Sequence, residues 1–305
     1  MLLHNSEYQS ELKMEQIEEI VPVRPLRLPD WLRRPIQTDK SYSETHHALK
    51  KNGLHTVCED AKCPNRHECW NHGTATVMIL GNICTRDCRF CSIATGKPQG
   101  LDLEEPKRVA EAVKRMKLKH VVITSVTRDD LADGGAQIWA ETISAVKDYV
   151  PGVTVEVLTP DFWGRKQNLT KVLDAKPIVF NHNIETVKRL QRSIRSGATY
   201  NRSMNVLGWA SEHSDIKVKS GIMLGLGETE EEVRETIQDL YTNGVRLLTI
   251  GQYMSPTRDH ARTHRYAEPR EFVELEDFAY ELGFDAVASG PLVRSSYRAD
   301  LMVRT

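Results

Sequence analysis

Residues 74–91 read TATVMILGNICTRDCRFC, an apolar run followed closely by three cysteines. The first seven residues are mostly aliphatic or β-branched and predict a buried strand. Cys84, Cys88 and Cys91 follow with the spacing C-x3-C-x2-C, so three thiols share one short loop after that strand. The stretch therefore indicates an α/β domain whose first strand leads into a loop suited to holding a metal centre.

All six cysteines of the 305-residue chain lie between residues 58 and 91 and form two triads. The downstream triad is the one quoted above, and the upstream triad, with spacing C-x4-C-x5-C, consists of Cys58, Cys63 and Cys69. A disulfide framework is disfavoured because the chain is long enough to bury a core without such staples. Metal binding is the better interpretation, with zinc completed by His67 or His72 as the alternative to an iron–sulfur cluster.

A triad of cysteines leaves a four-iron cluster incomplete. Four thiolates ordinarily hold a [4Fe–4S] cluster, so three leave one iron open to another ligand. The downstream triad, placed after a strand, resembles the signature of the radical S-adenosylmethionine (SAM) superfamily. The resemblance implies that this triad holds a [4Fe–4S] cluster, that SAM chelates the open iron, and that an electron cleaves SAM to methionine and a 5′-deoxyadenosyl radical.

Apolar runs alternate with helix-like segments after the cysteine loop, which predicts a parallel sheet with helical crossovers. The six predicted strands are residues 74–80, 120–126, 154–160, 177–183, 218–226 and 247–254. One helix, TEEEVRETIQDLYTNG, has Thr229 as its predicted N-cap. We therefore expect an α/β fold, a partial (β/α)6 TIM-type barrel whose N-terminal and C-terminal extensions cover the mouth. An eight-unit barrel is the alternative.

Polar residues at the carboxyl ends of barrel strands are candidates for the SAM site, since barrels of this kind carry their chemistry there. Thr124 and Ser125 end the second predicted strand and are candidates for the SAM amino group. Asn183 and Glu185 end the fourth, in NHNIET, and suit ribose hydroxyls, with helix capping as the alternative role.

Two further pairs of candidates lie on the last two predicted strands. SGIMLGLGETEEE resembles the superfamily element G-x-I-x-G-x-x-E, with Gly221 and Gly225 in register, and that element supports the adenine pocket. Tyr253 and Met254, in GQYMSPT, either contact the base or line the barrel. We name no general acid or base, because positioning and exclusion of water are the main tasks of a protein that guides a radical.

The upstream triad needs its own explanation, because a radical SAM cluster uses only the downstream one. It resembles the auxiliary-cluster motif of lipoyl synthases, whose fourth ligand is a serine in a C-terminal R-S-S-Y element. Residues 294–297 read RSSY, and by the family pattern the ligand is Ser296. The resemblance implies a second [4Fe–4S] cluster on Cys58, Cys63, Cys69 and Ser296. Biotin synthase-like and methylthiotransferase-like sulfur insertion remain the alternatives within the superfamily.

The same resemblance implies a reaction and its partners. The enzyme would be a sulfurtransferase of lipoate biosynthesis and protein lipoylation, inserting sulfur at C6 and C8 of an octanoyl chain on a lysine. The auxiliary cluster would donate the sulfur, and two SAM molecules would be used per product. The expected partners are an octanoylated lipoyl carrier domain or glycine-cleavage H-type protein, a low-potential electron donor, and an iron–sulfur carrier that rebuilds the auxiliary cluster.

Composition limits the other function classes. A formal net charge of −1 gives no global attraction to nucleic acid or anionic membrane, and no apolar run suggests a membrane span. The N-terminal residues lack the apolar stretch of a signal peptide, so we expect a cytoplasmic protein. The arm RPLRLPDWLRRP is either a solvated arm or a contact surface for an acidic partner, through Arg24, Arg27, Arg33 and Arg34.

These readings divide the chain into four parts. Residues 1–40 are predicted to form an N-terminal tail and arm, and residues 41–73 an auxiliary-cluster segment. Residues 74–275 form the predicted barrel. Residues 276–305 form a C-terminal extension that carries RSSY. The upstream triad and RSSY thus fall in different parts of the chain. The tertiary structure therefore has to bring the C-terminal extension to the upstream triad if they share a cluster.

Overall fold

A computed structural model of the chain describes residues 26–33, 55–56, 63, 65, 68–69, 76–213 and 216–303. Within this part of the chain, an eight-stranded sheet forms the centre of the fold. The predicted N-terminal tail before residue 26 lies outside the described residues, as do Arg24, Arg34, Cys58, His67 and His72. None of the described helices is long and apolar enough to cross a membrane.

The sheet is parallel except for one short edge strand. Its strands, in spatial order, are β1 (His55–Thr56), β2 (Thr76–Ile79), β5 (His120–Ser125), β6 (Thr154–Leu158), β7 (Val179–Asn181), β8 (Lys217–Leu224), β9 (Leu247–Gln252) and β10 (Ala286–Gly290). Only β1, which pairs with β2, is antiparallel to its neighbour. Two short strands, β3 (Ile83–Cys84) and β4 (Ala94–Thr95), pair with each other beside the sheet.

Helices connect the strands and cover the outer face. They are α1 (Glu105–Arg115), α2 (Ala136–Tyr149), α3 (Lys166–Asp174), α4 (Gln191–Ile194), α5 (Tyr200–Ser211), α6 (Glu230–Thr242), α7 (Pro269–Leu282) and α8 (Ala299–Met302). The predicted cap of α6 is confirmed: Thr229 accepts a hydrogen bond from the Glu232 amide, and the Glu232 carboxylate accepts one from the Thr229 amide. Three acidic residues in its first turn further favour a helix start there.

All six predicted strands are present, and their alternation with helices confirms the α/β class. Val77, Ile123, Val157, Phe180 and Ile250 are fully buried in one core with the inner faces of the helices. Burial on both faces explains why these strands read as continuous apolar runs rather than as alternating ones. The eighth strand in spatial order, β10, was not predicted because AVASG contains only one strong strand former.

The sheet runs from β1 at one edge to β10 at the other, and the described strands form an open arc. Residues 294–297, which follow β10, reach back to β2, since the Thr76 hydroxyl donates to Ser296 Oγ at 2.8 Å. These four residues, here called the RSSY turn, are closed by a hydrogen bond from the Tyr297 amide to the Arg294 carbonyl. The turn therefore connects the two sides of the open sheet.

The described part of the N-terminal arm and the last helix lie at different ends of the strands. In the N-terminal arm, Trp31 and Arg33 line a cleft of about 520 Å³ with Pro291 and Leu292, just beyond the carboxyl end of β10. The last helix, α8, lies at the opposite end, because Met302 packs against the first residues of β7, β9 and β10. The predicted cover over the mouth therefore does not include α8. The predicted division at residue 275 falls inside α7, and the domain limits remain predictions.

Candidate functional site

The downstream triad lies in the loop that joins β3 to β4, at the carboxyl end of β2. Cys84 Sγ accepts hydrogen bonds from the Arg86 and Thr127 amides at 3.4 and 3.3 Å. Burial raises the pKa of Cys88, and it raises the pKa of Cys91 to about 12. Buried thiols of this kind stay protonated until a metal displaces the proton. The three thiols thus share one loop, as the sequence predicted.

Arg86, within the triad, fixes this loop to two neighbouring strand ends. Its guanidinium donates to both carboxylate oxygens of Asp129 at 2.7 and 2.9 Å, and to Asp161 Oδ1 at 2.8 Å. Asp161 has no exposed side-chain surface, and it also accepts a bond from Arg202 at 3.1 Å. The Trp163 ring lies against both guanidiniums, with centroid distances of 4.9 and 4.7 Å. The loop is held by a four-residue charge network.

A second buried arginine lies beside the triad. Arg195 donates to Ser203 Oγ at 2.9 Å, to the Ile184 carbonyl at 3.2 Å and to Gln191 Oε1 at 3.3 Å. All three acceptors are neutral. Burial lowers the pKa of Arg195, and the nearby Cys88 and Glu185 oppose this shift. A cation buried among neutral acceptors suits an anionic ligand. No sequence pattern indicates this role, since a lone arginine usually lies in solvent.

Asn183 and Glu185, the candidates at the fourth predicted strand, are in contact just beyond the end of β7. The Asn183 amide donates through Nδ2 to Glu185 Oε1 at 3.1 Å and to Ser295 Oγ at 2.6 Å. Asn183 Oδ1 is buried and has no hydrogen-bond partner. Glu185 adopts a left-handed φ of 67°, and burial raises the pKa of its carboxyl group. The Glu185 carboxylate is thus held by Asn183 at the end of β7 and is partly exposed, which fits a ligand with hydroxyl groups.

Gly221 and Gly225 lie where neighbouring side chains pack too closely against the backbone to leave space for a Cβ atom. A Cβ on Gly221 would lie 2.6 Å from Thr249 Oγ1 and 2.9 Å from Asn183 Oδ1, so only glycine leaves the Asn183 amide its place. Gly225 has a φ of 101°, and its Cβ would collide with the Gln252 side chain. Glu228 holds the following turn, because its carboxylate accepts bonds from the Gly225 and Leu226 amides at 2.6 and 2.8 Å.

The other predicted SAM contacts have internal partners. Thr124 donates its hydroxyl to the Leu158 carbonyl at 2.9 Å, and Ser125 donates to the Val126 carbonyl at 2.8 Å. The Tyr253 hydroxyl donates to the Ala261 carbonyl at 2.6 Å, and its ring packs in a small apolar cluster that Phe90 also touches. Met254 is half-buried next to it. A role for these side chains at SAM remains a prediction.

The RSSY turn lies against the described residues of the upstream segment. Asn65 donates to the Leu292 carbonyl at 2.5 Å on one side of the turn, and the Tyr297 hydroxyl donates to Glu68 Oε1 at 2.7 Å on the other. Burial lowers the pKa of the Arg294 guanidinium. Cys63 lies close enough for its charge to oppose this shift. Ser296 is therefore brought to the segment that carries Cys63 and Cys69. In sequence, Ser296 and Cys69 are 227 residues apart.

The downstream triad fits the iron–sulfur cluster that radical SAM enzymes carry. Among the described residues, no three His, Cys, Asp or Glu side chains converge as the ligands of a single metal ion would. Each thiolate of a cubane cluster binds its own iron, so its cysteines need not converge on one point. The amides that donate to Cys84 Sγ are the type of contact that cluster sulfurs accept. Cys58, the remaining predicted ligand, lies outside the described residues.

Comparison with known sequences identifies close relatives. The profile of the radical SAM superfamily matches residues 78–240, and the profile of the N-terminal domain of lipoyl synthase matches residues 3–63. Lipoyl synthase of Shouchella clausii is 52% identical over 280 residues, which is 91% of this chain and 91% of that protein. Lipoyl synthase of Rubrobacter xylanophilus is 54% identical over 272 residues, covering 89% and 85%.

Solved structures share the fold at low sequence identity. Streptococcus suis SuiB bound to S-adenosylmethionine superposes with a TM-score of 0.57 at 13% identity, covering 73% of this chain and 54% of that one. Methylornithine synthase (PylB) has a TM-score of 0.52 at 14% identity, with 86% and 82% covered. The FeFe-hydrogenase maturase HydG from Carboxydothermus hydrogenoformans has a TM-score of 0.53 at 14% identity, with 87% and 78% covered. These similarities concern the fold alone.

Proposed function

Because the chain belongs to the lipoyl synthases of the radical SAM superfamily, we propose that it inserts sulfur at C6 and C8 of a protein-bound octanoyl chain. Membership implies a [4Fe–4S] cluster, SAM and a lipoyl-domain substrate protein. The proposed reaction replaces one hydrogen with sulfur at each of two carbons, which makes the enzyme a sulfurtransferase. Two SAM molecules are used per product.

The downstream triad, Cys84, Cys88 and Cys91, is proposed to hold the radical SAM cluster. Its support is the shared loop, the amide donors to Cys84 and the fixed position of Arg86. When bound, the two clusters and SAM would supply the electron, the hydrogen-abstracting radical and the sulfur. The protein's own contribution is to hold these groups in register and to exclude water from the carbon radical.

We propose that SAM is held by polar groups at the ends of β7 and α4. The partly exposed Glu185 carboxylate is placed to accept hydrogen bonds from the ribose hydroxyls, and Asn183 holds that carboxylate through Nδ2. Arg195, whose hydrogen bonds reach only neutral acceptors, is placed to pair with the SAM carboxylate. Gly221 and Gly225 let the Asn183 and Gln252 side chains pack closely against the backbone here, and are proposed to support the adenine pocket. Thr124, Ser125, Tyr253 and Met254 complete the proposed contacts.

The RSSY turn is the observation that carries the sulfur-inserting function. The bond from Tyr297 to Glu68, and the one from Asn65 to Leu292 just before the turn, bring Ser296 to the upstream segment, although these parts are far apart in sequence. We propose that Ser296 completes a second [4Fe–4S] cluster on Cys58, Cys63 and Cys69. A serine oxygen binds iron only while it is deprotonated, so protonation releases it easily. Such a ligand suits a cluster that is taken apart to donate sulfur.

The remaining partners follow from this chemistry. The proposed substrate is an octanoylated lipoyl carrier domain or a glycine-cleavage H-type protein. Each turnover would need a low-potential electron donor. A cluster that loses sulfur would need an iron–sulfur carrier to rebuild it. We expect neither nucleic acid nor membrane as a partner, and a cytoplasmic location.

The test is an anaerobic assay of the chain reconstituted with iron and sulfide. It would be incubated with SAM, a low-potential reductant and an octanoyl-lysyl peptide, and the peptide examined by mass spectrometry. Two added sulfur atoms are expected. Ser296→Ala should still cleave SAM but should lose sulfur insertion, whereas Ser289→Ala, whose hydroxyl bonds to the Phe272 carbonyl on another face, should behave as the parent. 5′-Deoxyadenosine without sulfur-bearing peptide would overturn the proposed substrate and the role of the second cluster.

A further inference from the structure

Asn183 lies between the proposed SAM site and the RSSY turn. Its Nδ2 carries two hydrogens, and both are used: one goes to Glu185 Oε1 at 3.1 Å, the other to Ser295 Oγ at 2.6 Å. The amide is oriented with Nδ2 towards Glu185 Oε1 and Ser295 Oγ, which both accept from it. Asn183 Oδ1 therefore faces away from both partners, and it is the buried acceptor that has no partner.

Ser295 is the neighbour of the proposed cluster ligand. The RSSY turn is closed by the bond from the Tyr297 amide to the Arg294 carbonyl at 2.8 Å, and Tyr297 is further tied to Glu68. Ser296 is tied to Thr76 on β2. In so short and closed a turn, Ser295 and Ser296 do not move independently. A change at the Ser295 hydroxyl is therefore transmitted to the Ser296 oxygen.

We propose that Ser295 is a positioning residue that couples occupancy of the SAM ribose site to retention of the auxiliary cluster, through the amide of Asn183. A ribose hydroxyl donating to the partly exposed Glu185 carboxylate holds that carboxylate in place. The carboxylate in turn holds the Asn183 amide, whose Nδ2 also donates to Ser295 Oγ. The RSSY turn is then held more firmly and Ser296 stays at its iron. This inference rests on the proposed function, since it needs a ribose at Glu185 and an iron at Ser296.

The coupling has a property that a purely structural role lacks. Two ligands that favour the same state must assist each other by the same factor. A nucleoside in the ribose site should therefore slow the loss of iron from the auxiliary cluster, and an intact auxiliary cluster should tighten nucleoside binding equally. One neutral hydrogen bond sets the size of the effect at about 2- to 10-fold. A residue needed only for folding would weaken each ligand separately without linking them.

The first experiment uses the full chain with Cys84→Ala, Cys88→Ala and Cys91→Ala, so that only the auxiliary cluster is reconstituted. Iron loss to a ferrous chelator is followed anaerobically, with and without saturating 5′-deoxyadenosine, whose binding is measured by equilibrium dialysis. The nucleoside should slow iron loss by about 2- to 10-fold. 2′,3′-Dideoxyadenosine, which lacks both ribose hydroxyls, should have no effect.

The second experiment repeats this comparison with substitutions at one position. Ser295→Ala should abolish the effect of 5′-deoxyadenosine, Ser295→Thr should restore it, and Ser289→Ala should leave it unchanged. In the enzyme with both clusters, Ser295→Ala should raise KM for SAM by about 2- to 10-fold while the rate of SAM cleavage at saturation is retained. If the Ser295→Ala chain does not retain its clusters, the effect of 5′-deoxyadenosine on iron loss from the chain with Ser295 is the test.

Three results would overturn the proposal. One is equal protection by the nucleoside in the parent and in Ser295→Ala. Another is an unchanged rate of iron loss in the parent at saturating 5′-deoxyadenosine. The last is failure of the nucleoside to bind at all, since Glu185 would then not hold a ribose. Each is separable from failure of the proposed function, because insertion of two sulfur atoms by the enzyme with both clusters is measured independently.

Discussion

Replacing Arg86 with methionine would remove the charge that fixes the downstream cysteine loop. Methionine keeps much of the length of the side chain and its apolar stem. Asp161, whose side chain has no exposed surface, would keep only Arg202 at 3.1 Å and the Trp163 amide as partners. Asp129 would lose its two-oxygen contact with the guanidinium. We expect a less stable protein and a loosened loop between Cys84 and Cys88.

The magnitude follows from burial. The Arg86 side chain is 6% exposed, and removing one partner of a buried ion pair costs roughly 3–5 kcal/mol, because the other charge stays buried. For a chain of this size each kcal/mol lowers Tm by about 2–4 °C, so we expect a decrease of roughly 6–20 °C. Arg86→Met with Asp161→Asn should recover part of this loss, since the second change removes one of the two carboxylates that Arg86 no longer neutralises.

The assay is thermal unfolding of the cluster-free chain, followed by circular dichroism so that cluster loss does not contribute. Arg270→Met is the matched control, because its partner Glu274 is one helical turn away and the Arg270 side chain is 85% exposed. That variant should melt close to the parent. A decrease of less than about 2 °C for Arg86→Met would refute the reasoning. Iron bound per chain after reconstitution then reports separately on the loop.

Three other perturbations test the description of the site and the fold. Thr76→Val removes the hydroxyl that donates to Ser296 Oγ at 2.8 Å. We expect the auxiliary cluster to lose iron about 10- to 100-fold more readily. The rate of iron loss to a chelator measures this, and Thr154→Val is the control. Burial lowers the pKa of His182 from 6.5 to about 4, so the stability it contributes is present above pH 6.5 and decreases as pH falls towards 4, by about 3 kcal/mol in all. His182→Asn should flatten the pH dependence of urea unfolding over that window, and an unchanged slope would contradict the assignment. Lys219 and Glu156 form a fully buried ion pair at 2.9 Å. Lys219→Met should therefore lower the free energy of unfolding in urea by roughly 3–5 kcal/mol, and Lys219→Met with Glu156→Leu should lower it by less. Equal losses would contradict the pairing.

The fold class could be predicted from the sequence because its signals are local. An apolar run such as TATVMIL is buried on both faces of a parallel strand, so its composition alone indicates its environment. Thr229 was predicted as a helix cap since capping involves only the next three residues. The strand Ala286–Gly290 lacks such a local signal, because its small side chains carry little β preference. Its pairing with β9, a contact between distant parts of the chain, decides its conformation.

The sequence by itself also determined the chemistry of the candidate site. The two cysteine triads, the spacing of the downstream one and the presence of RSSY are properties of the chain read in order. Thiol content and spacing limit the possible metal centres before any fold is known, because ligand type selects the metal. The resemblance to lipoyl synthases rested on these residues alone, and the relatives confirm it.

Only the tertiary structure decided which residues meet. Arg195 and Arg86 look like ordinary surface charges in the sequence, and burial beside the triad is what makes them notable. The bond between Asn183 and Ser295 joins residues 112 positions apart. Such contacts depend on how the strands curve and on where the chain returns after β10. Sequence patterns report periodicity along the chain, whereas these contacts are set by packing between distant segments, and so they could not be predicted from it.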